Sequence, residues 1–262
     1  MSSGKARRLR RIFRDDGKTV IVPMDHGVTL GPVRGLVDMQ RIVDALALGD
    51  TDAIVVHKGV AKNIDTKNLG LVVHLMASTV LAPDANWKVP VCSVEEAVKL
   101  GADGVSVHIN VGAPREAEML TELGEISEDC DDYGIPLLAM MYPRGPNITD
   151  SNDVEVVRHV ARLGAELGAD VVKTNYTGDA DSFKQVVEGC PVPVVIAGGP
   201  KKNEVSGVLQ MVYDSIQAGG AGVSLGRNVF QHTRPSAMVK ALRAIVHDGA
   251  RVAESLKILE EG

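Results

Sequence analysis

Four stretches of the chain follow one grammar: "LGDTDAIVVHK" (48–58), "LGADGVSVHIN" (100–110), "LGADVVKTNY" (167–176) and "AGGAGVSLGRN" (218–228). In each, a helix-length segment ends at Gly, a small or acidic residue follows, and a β-branched run closes on a polar residue. Gly is the natural stop for a helix, and unbroken Val/Ile runs suit strands buried on both faces. Extending the count gives eight candidate strands, at 19–24, 53–57, 71–75, 104–109, 136–141, 170–174, 193–197 and 221–225. Strands alternating with helical segments predict a parallel sheet. Eight such units in 262 residues predict an α/β fold of one kind, a single closed (β/α)8 TIM barrel.

The intervening segments agree. Ser93 and Glu96 form a capping-box pattern at the start of a helix. Val157, Val160, Ala161 and Gly164 recur at helical spacing in 153–167. No linker or low-complexity tract interrupts the pattern, so residues 1–262 read as one domain with a short basic N-terminal helix at about 4–14. That helix, "GKARRLRRIFR", reads as amphipathic, packing Leu9, Ile12 and Phe13 on the body with its arginines in water. The weakest stretch is 60–90, where two long loops are expected over the mouth of the barrel.

Barrels of this kind carry chemistry at the C-terminal ends of their strands. Those ends hold Asp25 and His26; His57 and Lys58; His74; His108 and Asn110; Tyr142 and Arg144; Lys173; Gly198 and Gly199; and Gly226 and Arg227. Strand alternation makes Asp25 share a face with Pro23 and Ile21, Tyr142 with Met140 and Leu138, and Lys173 with Val171. All of these suit a barrel lining.

Lys173 is the residue that most asks for a reason, because lysine is almost never fully buried without one. In a partly dry mouth an amine loses hydration of its charged form, becomes neutral more readily, and can add to a ketone as a Schiff base. Asp25 and Tyr142 are then the available proton acceptor and donor. A plain ion pair between Lys173 and Asp25 is the competing reading, and Lys58 is a rival nucleophile. Gly198–Gly199 and Gly226–Arg227 lie on the two strands that often build a phosphate cradle. The four histidines His26, His57, His74 and His108 allow a metal-assisted alternative, although no HxH or HExxH spacing occurs.

Composition narrows the partners. A net charge of -6 and 3% aromatic residues argue against nucleic acid. No apolar run is long enough to cross a membrane, and the N-terminus lacks a signal-peptide core. Cys92, Cys130 and Cys190 form no CxxC pair and fit free thiols in a reducing cytoplasm.

Five motifs in order, "VIVPMDHGV" (20–28), "LLAMMYPRG" (137–145), "ADVVKTNYTGD" (169–179), "VIAGGPK" (195–201) and "VSLGRNVFQH" (223–232), resemble the archaeal class I aldolase family over nearly the whole chain. The resemblance implies a (β/α)8 barrel with Lys173 as the Schiff-base lysine, Asp25 as proton acceptor and Tyr142 as proton donor. It further implies substrate contacts by Asp25, His26, Gly27, Val28, Thr29, Tyr142, Pro143, Arg144, Lys173, Gly198, Gly199, Gly226 and Arg227. The implied reaction is a transaldolase exchange between a phosphorylated ketose, 6-deoxy-5-ketofructose 1-phosphate, and L-aspartate semialdehyde, needing no cofactor and no metal. A homo-oligomer, with a decamer as its suggested size, is also implied. Two other readings stay open: a fructose-1,6-bisphosphate aldolase of the same family, and a non-catalytic barrel that binds a phosphorylated ligand.

Overall fold

The computed structural model describes residues 2–199 and 204–261. Eight parallel strands close into a barrel: β1 (Thr19–Pro23), β2 (Ala53–His57), β3 (Gly70–His74), β4 (Gly104–Val111), β5 (Leu137–Pro143), β6 (Val171–Thr174), β7 (Val194–Ala197) and β8 (Gly222–Ser224). Each pairs with its neighbours in sequence, and β1 pairs with β8 to complete the ring. The expected strands are therefore all present, displaced by a residue or two at their ends. The last residues of the 195–201 motif, Pro200 and Lys201, lie outside the described residues.

The period-2 pattern sorts the strand residues as the sequence implies. Ile21, Val55, Val72, Leu138, Met140, Tyr142, Val171 and Val195 form the inner cluster. Val20, Val22, Ile54, Val56, Val105 and Val172 face the surrounding helices. Lys173 stands opposite Met140 on β5 and Val195 on β7, so it shares the inward face with Val171. On the helix Val154–Glu166, the four residues at helical spacing are all buried. The capping box at Ser93 is half made. Ser93 Oγ accepts from Glu96 N at 3.1 Å, but the Glu96 carboxylate turns to Lys58 and Lys62 instead of back to the cap.

The basic N-terminal segment closes the bottom of the barrel. Its helix is shorter than expected, Ser3–Leu9. Leu9, Ile12 and Phe13 do pack on the body, against the inner cluster that includes Ile21, Leu138 and Val171. Of the five arginines expected in water, Arg8 and Arg14 are instead half-buried. The acidic residue of three repeat stretches, Asp52, Asp103 and Asp170, accepts a main-chain hydrogen bond from the preceding strand: Val20 N at 2.6 Å, Leu71 N at 2.9 Å and Leu137 N at 2.9 Å. The same three carboxylates receive, in turn, Arg14, Arg11 at 3.6 Å and Lys5 at 2.9 Å. Arg8 donates to the Gly134 carbonyl at 2.8 Å. Arg7, Arg10 and Arg11 stay exposed among the cations at 5–14. The cluster is thus a lid whose charges are matched to the repeat. A buried carboxylate needs such partners, because an unpaired one is costly to desolvate.

His247 completes this lower cluster. Its Nδ1 and Nε2 lie 2.9 Å from Asp16 Oδ2 and 2.9 Å from Asp52 Oδ2. Burial works against its protonated form, but the two carboxylates outweigh that and raise its pKa above the usual value of 6.5. A raised folded-state pKa means the contribution to stability is full below pH 6.5 and is lost as pH climbs through the folded value. His247→Gln is therefore expected to cost about 1–3 kcal/mol at pH 6 and much less at pH 9. Urea unfolding at the two pH values measures this; an equal cost at both would contradict it.

The 60–90 stretch divides between the two ends of the barrel. Residues 62–69 run back to the start of β3 and join the N-terminal end, so this half does not cover the mouth. The other half does. It follows β3 as a two-stranded antiparallel ribbon, Met76–Ala77 with Val89–Pro90, joined by a loop at 78–88. Its Val80 N bonds Thr29 O at 3.1 Å, and Asn110 Nδ2 bonds Asn86 O at 2.7 Å, which fastens the loop across the strand ends. Among the described residues no helix is long and apolar enough to cross a membrane. Cys92, Cys130 and Cys190 are free and buried.

Candidate active site

The C-terminal ends of the strands enclose a cavity of about 280 Å³. Asp25, His26, Thr29, Tyr142, Arg144, Lys173, Gly198, Gly199, Gly226 and Arg227 all line it. The remaining expected contacts do not. Gly27 and Val28 lie on the exposed side of the short helix His26–Leu30, and Pro143 borders a neighbouring cavity.

Lys173 is 5% exposed and is held between Met140 and Val195. Among the described residues it makes neither an ion pair nor a hydrogen bond. The alternative of a Lys173–Asp25 salt bridge is therefore not what the structure contains. Lys58, the rival amine, sits outside the barrel, with its Nζ 2.9 Å from Glu96 Oε2.

Asp25 follows β1 and is surrounded by imidazoles. His26 Nδ1 lies 3.5 Å from one of its oxygens and His74 Nε2 lies 3.9 Å from the other. Burial is the largest influence on Asp25 and opposes ionisation. The fields of His74, His26, Lys173 and His57 together outweigh it and hold the carboxyl well below the usual carboxylate range. Asp25 is thus a carboxylate at neutral pH and can accept a proton.

At neutral pH the histidines are neutral lining groups, and they favour the Asp25 carboxylate by their charge only when acid protonates them. Burial pulls His74 down to about 4 and pushes His108 well below its ordinary value. His26 and His57 are also lowered, again first by burial. Each has a defined neighbour: His74 Nδ1 meets Ser106 Oγ at 2.8 Å, and His108 Nε2 meets Asn110 Oδ1 at 2.9 Å. The His57 ring stacks edge-on to that of His74. Among the described residues no three His, Cys, Asp or Glu side chains are placed to hold one metal ion.

Tyr142 is 7% exposed, and its ring is fixed from two sides. The His108 ring approaches edge-on at 4.9 Å and the Arg144 guanidinium lies over it at 4.8 Å. On the far side, Asn228 Nδ2 ties Gly198 O at 2.9 Å and joins the β7 and β8 ends. At Gly226 a Cβ would fall 2.7 Å from His26 Cε1 and 2.8 Å from Pro23 O, so only glycine lets these segments meet. Arg227 Nε is buried there without a hydrogen-bond partner among the described residues. A buried donor left open beside two glycine turns suits an anion.

Several lining residues escaped the sequence reading, Lys88, Asn175 and Ser224 among them. Lys88, from the 78–88 loop, is 6% exposed and faces the same cavity. Nothing in "NWKVP" marks it, because its place depends on how the loop folds back over β4. His108 was noted at a strand end but not as a contact, and it lines the cavity as well.

A closed parallel barrel whose mouth gathers a buried amine, an ionised carboxylate and a tyrosine defines an aldolase-class enzyme of the Schiff-base type. The chain belongs to the DeoC/LacD family of aldolases, whose profile it matches over residues 19–232. It is 50% identical over 259 residues to 2-amino-3,7-dideoxy-D-threo-hept-6-ulosonate synthase 1 of Archaeoglobus fulgidus, covering 97% of this chain and 95% of that one. It is 44% identical over 250 residues to 2-amino-3,7-dideoxy-D-threo-hept-6-ulosonate synthase of Halobacterium salinarum, covering 95% and 93%. Among solved structures, it is similar to an archaeal fructose-1,6-bisphosphate aldolase whose catalytic lysine is covalently bound to the carbinolamine intermediate of its substrate. That match has a TM-score of 0.87 and 33% identity, covering 92% of this chain and 98% of that one.

Proposed function

We propose that this chain is a transaldolase that makes 2-amino-3,7-dideoxy-D-threo-hept-6-ulosonate from 6-deoxy-5-ketofructose 1-phosphate and L-aspartate semialdehyde, and so feeds 3-dehydroquinate and aromatic amino-acid synthesis. The observation that carries the reading is Lys173, an inward amine with no ion-pair partner among the described residues, in one cavity with Asp25 and Tyr142. Near-full-length identity of 50% to a synthase of that name selects among the aldolase reactions.

The steps balance without an added oxidant or reductant. Lys173 Nζ adds to the ketone next to the donor's methyl group, and loss of water gives an iminium. Asp25 takes the proton of the hydroxyl two carbons away. The C–C bond between that carbon and the carbon next to the iminium then breaks. Its electron pair moves into the iminium, and a phosphorylated three-carbon dicarbonyl leaves. The enamine left on Lys173 attacks the aldehyde carbon of L-aspartate semialdehyde. Tyr142 supplies the proton to the new alkoxide and regains one from Asp25 through solvent, and water releases the seven-carbon product and the free amine. Arg227 and the Gly198–Gly199 and Gly226 turns hold the phosphate.

Fructose-1,6-bisphosphate cleavage is the second reading, favoured by the likeness to the solved aldolase. Assaying the purified protein with both donors separates the two. Transfer to L-aspartate semialdehyde is expected to exceed fructose-1,6-bisphosphate cleavage by more than about tenfold in kcat/KM. The reverse preference would overturn the synthase assignment. Borohydride with the ketose phosphate is expected to leave a reduced adduct on Lys173; no adduct would leave only a phosphate-binding barrel.

A further inference from the structure

The loop at 78–88 delivers a second amine to the cavity, and the reaction outlined above leaves it without a task. Lys88 is 6% exposed, yet it has no ion-pair partner among the described residues. Its Nζ has a single hydrogen bond, to Ser78 Oγ, and Ser78 Oγ in turn donates to Ala85 O at 2.7 Å. The loop that carries it is anchored on both sides. Asn110 holds Asn86, and the Arg115 guanidinium covers the Trp87 ring at 4.4 Å.

Arg144 is the second cation on this side, and it too is held in place. Its main-chain N bonds Val111 O at 2.8 Å. The next residue, Gly145, packs so closely that a Cβ would lie 1.7 Å from Gly112 O. Lys88 and Arg144 line one cavity, each close enough to disfavour a further positive charge on the other's neighbour His108. Lys88 is buried with no carboxylate ion-paired to it among the described residues, and the Arg144 guanidinium lies over the Tyr142 ring at the exposed rim, so an anion between them relieves the desolvated amine. They stand on the β3–β5 side of the mouth, whereas Gly198, Gly199, Gly226 and Arg227 stand on the β7–β8 side.

The chemistry tells which anion fits. Resting on the transaldolase reading, two aldehydes exchange on Lys173, one carrying a phosphate and the other a carboxylate. Main-chain turns and Arg227 suit phosphate oxygens; a guanidinium beside an ammonium suits a planar carboxylate. We propose that Lys88 and Arg144 form a second anion subsite, which holds the carboxylate of the entering aldehyde and selects carboxylated acceptors over uncharged ones.

The electrostatics support this placement. Burial and the nearby Arg144 lower Lys88 to about 8, against the attraction of Asp25 and Asp84. His57, His74 and His108, on the neighbouring strand ends, also face it. The amine is therefore charged below about pH 8 and loses its proton above it.

The test uses the intact protein with succinate semialdehyde and butanal, which differ by the carboxylate. Lys88→Met is expected to cut the preference for succinate semialdehyde by about tenfold to a hundredfold, and Lys88→Arg to restore most of it. In the wild-type chain the same preference is expected to fall as pH rises from 7.5 to about 9.5. This second readout stands if Lys88→Met fails to fold. An unchanged preference in the variant, or a flat pH profile, overturns the proposal. If borohydride trapping of the ketose phosphate falls as far as the preference does, Lys88 serves the donor's phosphate and the carboxylate assignment is wrong. Calorimetry with succinate alone reads the subsite without turnover. A wild-type chain that binds succinate through Lys88 yet transfers nothing to aspartate semialdehyde keeps the subsite and loses the reaction.

Discussion

Lys173→Arg leaves a barrel of unchanged fold and removes turnover, by on the order of 10⁴-fold or more in kcat. Arginine keeps a positive charge near Asp25, so a purely electrostatic role would survive the change. A guanidinium is not deprotonated in proteins and cannot add to a ketone. The position also restricts the substitution, because Lys173 sits in the inward layer between Met140 and Val195 at 5% exposure. Lys173→Met, close in length and apolar like its neighbours, is the companion variant that removes the charge without adding bulk. Both should lack the borohydride adduct by mass spectrometry while keeping the wild-type circular dichroism. Retention of a tenth or more of the rate in both would remove the Schiff base from Lys173. Lys88 would then be the amine to examine, since Lys58 is bound to Glu96 outside the cavity.

Tyr142→Phe is expected to slow turnover by roughly 10²- to 10⁴-fold, which is the usual worth of a positioned proton donor. The packing around the ring makes this a clean change. His108 and Arg144 contact the ring itself, and phenylalanine keeps those surfaces. Imine formation should persist, so borohydride still labels Lys173 although bond exchange is slow. Rapid-mixing measurement of the two phases separates the steps. An unchanged rate would pass the donor role to water or His108. Tyr176 does not qualify, because it borders the neighbouring cavity and packs on Phe183, and burial pushes the pKa of its hydroxyl up.

The five predictions depend on different kinds of information. Lys173, Asp25 and Tyr142 could be read from the chain because each lies in or beside a strand, where alternation decides which way a side chain points. Val171 and Lys173 share a face by covalent geometry alone, and the barrel made that face the inside. Gly27 and Val28 lie away from the cavity because a five-residue helix, not a strand, follows β1. Helical rotation then carried them to solvent while His26 and Thr29 stayed inward. Lys88 could not be read at all. It lies in an irregular loop whose course depends on Asn110 reaching Asn86, a contact across 24 positions. No local periodicity encodes such a contact.

The N-terminal cations show the same division. Their charge was plain, and so was the recurrence of Asp52, Asp103 and Asp170 before three strands. Only closure of the ring brought those carboxylates to one end, where Lys5, Arg11 and Arg14 could meet them. By itself the sequence determined the eight βα units, the inward face of each strand and the polar groups at the strand tips. These follow from hydrophobic period and chain order, which are local. The tertiary structure alone decided which amine stands free of a partner, where the second cationic side lies and what seals the base. Those depend on distances between residues far apart in the chain, and barrel closure sets them.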